Sequence, residues 1–201
     1  MTANIMLIRH AAHSDLGLVL SGRRTDVPLS PAGVAQARSL ASVLRKERLD
    51  ELQTSPVQRA RETAAEIGEG RDLVPAVVDA LDEIDFGSWT GRRFDQLEED
   101  PGWREWNERR GDAATPGGEI MAEVQQRVLD HLQLVARGAA GKVVAMVTHC
   151  DVIRAAVAGV LGLALHRILQ FEVEPAAVSR IEIGEWGARL LSLNEKPGQH
   201  G

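Results

Sequence analysis

Apolar positions along this chain fall into two alternating kinds of run. Residues 5–8 are apolar without a break and end in Arg9 and His10; residues 142–147 are apolar throughout after Lys142. Unbroken runs of this length mark strands covered on both faces. Residues 49–54 and 73–78 read as further strands, and 179–183 and 190–193 as strands at a sheet edge. Between them, Val34, Ala37, Leu40, Ala41 and Leu44 recur near helical spacing and predict a helix from Pro31 to about Lys46. Ser30 supplies its N-cap and Pro31 fits its first position. Ser55 and Pro56 repeat that signal ahead of a helix over 57–67, and a third helix is expected over 151–160. Strands alternating with helices imply an α/β fold: a three-layer sandwich with a largely parallel central sheet flanked by helices.

The alternation breaks between residues 86 and 118, which hold Trp89, Trp103 and Trp106 and five arginines among several Gly and Pro. This segment reads as a cap insertion over the site within one domain spanning 1–201, with 196–201 as a frayed tail. Trp103 and Trp106 lie one helical turn apart and are expected to anchor a cap helix rather than stack on substrate. The composition, 44% hydrophobic and 26% charged, is that of an ordinary globular protein. A net charge of −6 argues against nucleic-acid binding, which needs a basic footprint, but a local cluster of arginines can still dominate the field in a cleft. The single cysteine, Cys150, excludes an internal disulfide framework and suits a reducing compartment. The apolar run at 5–8 is too short for a signal peptide or a membrane span, so a cytoplasmic protein without membrane association is expected.

Ligands of open α/β sheets bind beyond the carboxyl ends of the strands. Three expected strand ends carry groups suited to an anion: Arg9 and His10 after the first, Ser55 through Arg59 after the second, Thr148 and His149 after 142–147. Arg59 falls in the first turn of a helix, where a cation opposes the macrodipole unless an anion lies near. Each signal alone has a bland reading: surface polarity for Arg9 and His10, a solvated helix residue for Arg59, a core-boundary imidazole for His149. Their coincidence at strand ends points to phosphate chemistry.

The residues also resemble a known family. Ile8-Arg9-His10-Ala11, with Leu29-Ser30-Pro31-Ala32-Gly33 and Gln36-Ala37, looks like the opening of the histidine phosphatase (phosphoglycerate mutase-like) superfamily. Ser55-Pro56-Val57-Gln58-Arg59-Ala60 with Thr63-Ala64 is similar to its second signature, and Leu81-Asp82-Glu83-Ile84-Asp85-Phe86-Gly87 to the segment that supplies its acid. Pro116-Gly117-Gly118-Glu119 and Val147-Thr148-His149 follow in the same order, so the resemblance spans about residues 5 to 194, and small phosphatases such as α-ribazole phosphatase-like proteins are the nearest in look. It implies a metal-independent, cofactor-free phosphomonoesterase acting on a small phosphate ester. His10 would be the nucleophile that forms a phosphohistidine. Arg9 and Arg59 would hold the phosphoryl oxygens and disfavour a cationic His10. His149, protonated, would add a donor, and Glu83 would give a proton to the leaving alcohol. Asp82 and Asp85 are rivals to Glu83 from spacing alone.

The resemblance is imperfect around the substrate. Ala11 stands where a glycine is usual, the stretch 12–16 lacks the usual Glu-Thr/Ser pair and a later Asn, and Ile120 replaces a common serine. Gly22 and Arg23 fall near the substrate loop with the glycine offset by one, and are carried as substrate-binding candidates. The competing readings are a phosphoglycerate mutase, disfavoured by the short cap, and a non-catalytic phospholigand-binding protein, disfavoured because all five key residues are present. Oligomeric state is open, with a homodimer allowed. The three residues between Cys150 and Arg154 are too few for a cysteine-phosphatase loop, so Cys150 reads as a packing residue. Gly138, Gly141 and Lys142 lack the spacing of a P-loop. His10 and His13 lack the further ligands that zinc needs.

Overall fold

The computed structural model describes residues 2–197, and the final stretch of the expected tail, 198–201, lies outside them. Its sheet has the order β3-β2-β4-β1-β5-β6, formed by β1 (Ala3–Arg9), β2 (Glu51–Thr54), β3 (Ala76–Val77), β4 (Val143–Thr148), β5 (Val178–Gly184) and β6 (Gly187–Glu195). The first four pair in parallel, while β5 runs antiparallel to β1 and β6 antiparallel to β5. The sheet is thus largely parallel with an antiparallel edge pair, as expected.

β1 shows why the continuous run at 5–8 sits at the centre. Ile5 and Leu7 pack into one core with Val124, Val128 and Leu132, whereas Met6 and Ile8 pack into the other with Leu40, Leu44 and Ile67. A strand with period 2 and a core on each side needs apolar residues at every position. Helices α1 (Pro31–Leu44) and α2 (Gln58–Gly68) cover one face. Helices α5 (Met121–Gly138) and α6 (Cys150–Leu161) cover the other. Between α2 and α5 lie two short cap helices, α3 (Phe94–Leu97) and α4 (Pro101–Glu108).

Ser30 caps α1 as expected, its hydroxyl accepting from Gly33 N at 3.1 Å. Gly33 is there for space, because a Cβ would lie 1.8 Å from the Ala12 carbonyl oxygen in the loop after β1. α2 begins later than the Ser55-Pro56 signal suggests, with Val57 at its N-cap. The strand expected over 73–78 shrinks to two residues. The longest helix, α5, has no counterpart among the expectations: its buried stripe of Val124, Val128 and Leu132 is interrupted by Gln125, Gln126, Arg127, Asp130 and His131. In the cap, Trp106 is fully buried, stacks on Trp103 at 5.2 Å and meets Trp89 edge-on at 6.2 Å. Lys196, at the start of the expected tail, pairs with Glu174 at 2.6 Å. No helix among the described residues is long and apolar enough to cross a membrane.

Candidate active site

Strand register builds the site. In the β1–β4 ladder Arg9 lies opposite Thr148, so His10 and His149 leave adjacent strand ends together, and His10 N donates to the Thr148 carbonyl at 2.9 Å. Their rings meet edge to face with centroids 5.1 Å apart. On the other side of β4, Ser55 N donates to the Val147 carbonyl at 2.9 Å, which brings the end of β2 to the same place. Arg59, near the start of α2, extends across this junction with its side chain 2% exposed. Arg59 Nε donates to His10 Nε2 at 3.1 Å, and Nη2 reaches the Gly22 carbonyl at 2.7 Å and His149 Nδ1 at 3.2 Å.

These bonds assign the protons. A guanidinium only donates, so both nitrogens it meets carry lone pairs. His10 therefore holds its proton on Nδ1, which donates to the Ala11 carbonyl at 2.8 Å, and presents a lone pair at Nε2. His149 holds its proton on Nε2, donating to Ser55 Oγ at 2.7 Å. Burial, then Arg59, hold both imidazoles well below their ordinary pKa. Neutral His10 agrees with the sequence reading, although burial outweighs the arginines as the cause. Protonated His149 does not describe this arrangement, in which the ring accepts from Arg59. A proton there needs the added negative charge of a bound anion.

Glu83 enters from the loop after the 3-10 turn Asp79–Leu81. Its Oε2 lies 3.5 Å from His149 Nδ1 and 4.0 Å from Arg59 Nη2, and its Oε1 accepts from Ile84 N at 3.0 Å. Burial, followed by the charge of Asp151, raises its pKa from 4.5 to about 7. The rivals are occupied elsewhere: Asp82 Oδ1 accepts from Glu83 N at 2.8 Å, and Asp85 Oδ1 accepts from Gly87 N at 2.8 Å. Of the three, only Glu83 lines the cavity of about 140 Å³ onto which Arg9, His10, Arg59 and Gly22 also open.

Gly22 borders that cavity at φ +49°, where its carbonyl fixes Arg59. Arg23 is turned away from it: Nε donates to the Glu83 carbonyl at 2.7 Å and Nη2 to Glu119 Oε2 at 2.7 Å. Arg127 donates to the same Glu83 carbonyl at 3.2 Å, so both guanidiniums hold the acid's backbone. Cys150 lies on the wall, but burial, with Asp151 next, pushes its thiol up to about 11, far from a thiolate at neutral pH. None of the cap tryptophans lines this cavity. Among the described residues, no three His, Cys, Asp or Glu side chains gather as metal ligands.

Three wall or shell residues were not singled out from sequence for this site. Ser55, read there as a helix cap within the strand-end group 55–59 and given no role of its own, bonds His149. His13 is buried on the wall, its Nδ1 without a partner and its pKa lowered by burial, then Arg59, to about 4. Asp151, at the start of α6, also lines the cavity and bonds Arg110 of the cap at 2.8 Å. Two buried donors at the site have no partners, Arg59 Nη1 and Arg9 Nε. An unpaired buried donor is costly, and an anion between the guanidiniums would satisfy both.

Known proteins are similar to this chain over nearly its whole length. Phosphoserine phosphatase 1 of Hydrogenobacter thermophilus is 32% identical over 94% of this chain and 91% of its own. The adenosylcobalamin/α-ribazole phosphatase of Salmonella typhimurium is 28% identical over 96% of both. The native structure of mycobacterial glucosyl-3-phosphoglycerate phosphatase, 26% identical, superposes with a TM-score of 0.86 over 98% of this chain and 100% of that one. The profile of the histidine phosphatase superfamily (branch 1) matches residues 5–196, and the chain belongs to that family.

Proposed function

We propose that this phosphoric monoester hydrolase works through a phosphohistidine on His10, without a metal, on a small phosphate ester in the cytoplasm. The observation that carries the reading is the lone pair at His10 Nε2, which accepts from buried Arg59 on a cavity that Arg9 also lines, while Arg59 Nη1 and Arg9 Nε have no partner among the described residues. Before substrate binds, Arg59 Nε occupies that lone pair, and an arriving phosphoryl oxygen takes the donor and frees the nitrogen. His10 Nε2 then bonds to phosphorus as the bond to the leaving oxygen breaks, and Glu83 gives its proton to that oxygen. Arg9 and Arg59 neutralise the equatorial oxygens, the task that metal ions perform in other phosphoryl-transfer sites. In the second half, water attacks the phosphorus, its proton passes to Glu83, and the N–P bond breaks to restore His10. His149 stays on Ser55 through Nε2 and supplies a second donor when the anion draws a proton to Nδ1.

The relatives' names, phosphoserine phosphatase and adenosylcobalamin/α-ribazole phosphatase, supply esters to assay, of which phosphoserine carries a carboxylate on its alcohol. Wild type should form an alkali-stable, acid-labile phosphoenzyme during turnover. His10→Ala should form none and should lose hydrolysis at least about a thousandfold. Retained turnover in His10→Ala overturns the nucleophile. A mutase is separated by offering 3-phosphoglycerate with a bisphosphoglycerate primer, where interconversion faster than phosphate release would replace hydrolysis as the main reaction.

A further inference from the structure

Beyond the phosphoryl end, the cavity wall is apolar and acidic, and it holds no free cation among the described residues. Leu16, Val19, Leu20, Phe86 and Phe94 form its apolar side, and Glu83 and Asp151 its acidic side. The apolar side is a hydrogen-bonded ribbon between the loop after β1 and the cap: Leu20 N donates to the Arg92 carbonyl at 2.9 Å and Phe94 N to the Leu18 carbonyl at 3.1 Å. It is therefore formed before substrate arrives.

The cations are accounted for one by one. Arg9 and Arg59 are the only Lys or Arg on the wall among the described residues, and both belong to the phosphoryl group. His13 is uncharged at neutral pH. Around the rim, Arg23 holds Glu119 and the Glu83 carbonyl, Arg24 holds Asp26 at 2.9 Å, and Arg92 holds Asp100 at 2.7 Å. Arg110 is fixed three times, by Asp151 Oδ1 at 2.8 Å, by Asn107 Oδ1 at 2.9 Å and by the Trp106 ring beneath it at 4.1 Å. Asp151 Oδ1 also lies 3.8 Å from Arg154, whereas its Oδ2 accepts no hydrogen bond among the described residues. A second acidic group on a substrate would meet carboxyl oxygens and apolar carbon, with no cation to pair it.

Resting on the hydrolase reading above, we propose that the site selects monoesters whose alcohol carries an apolar or aromatic body and no second acidic group, with Asp151 as the specificity-determining residue that rejects anionic leaving groups. An uncharged body lies against Phe86 and Phe94; a carboxylate is turned away by the Asp151 oxygen that accepts no hydrogen bond.

A matched pair of unactivated esters tests this at neutral pH: benzyl phosphate against its 4-carboxybenzyl counterpart, with 3-phosphoglycerate as a third substrate. The expected kcat/KM is roughly tenfold or more lower for each carboxylated ester than for benzyl phosphate. In Asp151→Asn, which keeps an acceptor for Arg110, that gap should narrow at least about threefold, mainly through KM. Equal or faster hydrolysis of the carboxylated esters by the wild type overturns the substrate class, while leaving the phosphohistidine reading intact. An unchanged ratio in Asp151→Asn overturns the role given to Asp151. No phosphate release from any of the three sinks the hydrolase reading itself, and the inference falls with it.

Discussion

Glu83→Gln exchanges a buried carboxyl for an amide of nearly the same shape that cannot ionise, and the site's electrostatics set what should follow. In the folded protein the carboxyl keeps its proton up to about pH 7, because burial and the charge of Asp151 outweigh the attraction of Arg59. In the unfolded chain it loses the proton near its ordinary value of 4.5. Between those values the folded state binds more protons than the unfolded one, so stability falls as pH rises, and the loss is complete above about 7. The separation is worth about 3 kcal/mol. The amide suffers no such loss, so the variant should melt close to wild type near pH 4.5. At about pH 8 it should melt higher by roughly 6–12 °C. Turnover should fall about 10²–10⁴-fold, and the alkaline limb of the wild-type rate profile near pH 7 should disappear. Thermal melts in phosphate-free buffer at the two pH values decide the matter. A variant no more stable than wild type at the higher pH, or equally stabilised at both, would refute the claim that burial keeps the proton on Glu83.

Two further substitutions test the scaffold and the rival chemistry. Gly33→Ala drives a methyl into the Ala12 carbonyl oxygen at 1.8 Å and should cost at least about 2 kcal/mol in urea unfolding; an unchanged midpoint would mean that the loop after β1 yields freely. Cys150→Ala should keep phosphate release within about threefold of wild type, since a thiol held near 11 is not a nucleophile at neutral pH, and loss of turnover with the fold intact would reopen a cysteine mechanism.

What could be read in the chain without its structure follows physical lines. β1 and β4 are central strands with apolar residues facing both cores, so they appear as unbroken runs, and the polar residues that end them stand out. The family signatures then tie Arg9, His10, Arg59 and His149 to one site, and the parallel register sets His10 beside His149. α5 escaped because its buried stripe of Val124, Val128 and Leu132 is interleaved with exposed apolar residues such as Leu134 and with polar ones, which blurs the helical period. The choice among Asp82, Glu83 and Asp85 depends on the loop's path, which spends Asp82 on the Glu83 amide and leaves Glu83 inward. Arg23, one residue from a cavity glycine, could not be told from a substrate ligand until Glu119, distant in sequence, was seen to hold it. Charge states depend on burial and on partners brought together by folding, which is why a cationic His149 was a reasonable expectation and the folded site has a neutral one.

The charges present before substrate binds also constrain the order of proton movements. At neutral pH the site holds two guanidiniums, three neutral imidazoles and an acid poised at about 7, so the phosphoryl end is positive and suited to a dianionic monoester. In the proposed cycle His10 attacks without first losing a proton, since its proton rests on Nδ1 against the Ala11 carbonyl throughout. When the alcohol leaves with the proton of Glu83, the new carboxylate stands 3.5 Å from His149 Nδ1 and 4.0 Å from Arg59. Arg59 steadies it until water arrives, and His149 does so when the bound anion has drawn a proton to Nδ1. A carboxyl pKa far below 7 would leave too little acid for the first half, and one far above would leave too weak a base for the second. The burial that raises Glu83 and the charge that Asp151 adds thus serve both halves of the reaction, and Asp151 lies where it also meets the leaving group. One carboxylate would then set both the strength of the acid and the kind of alcohol it protonates.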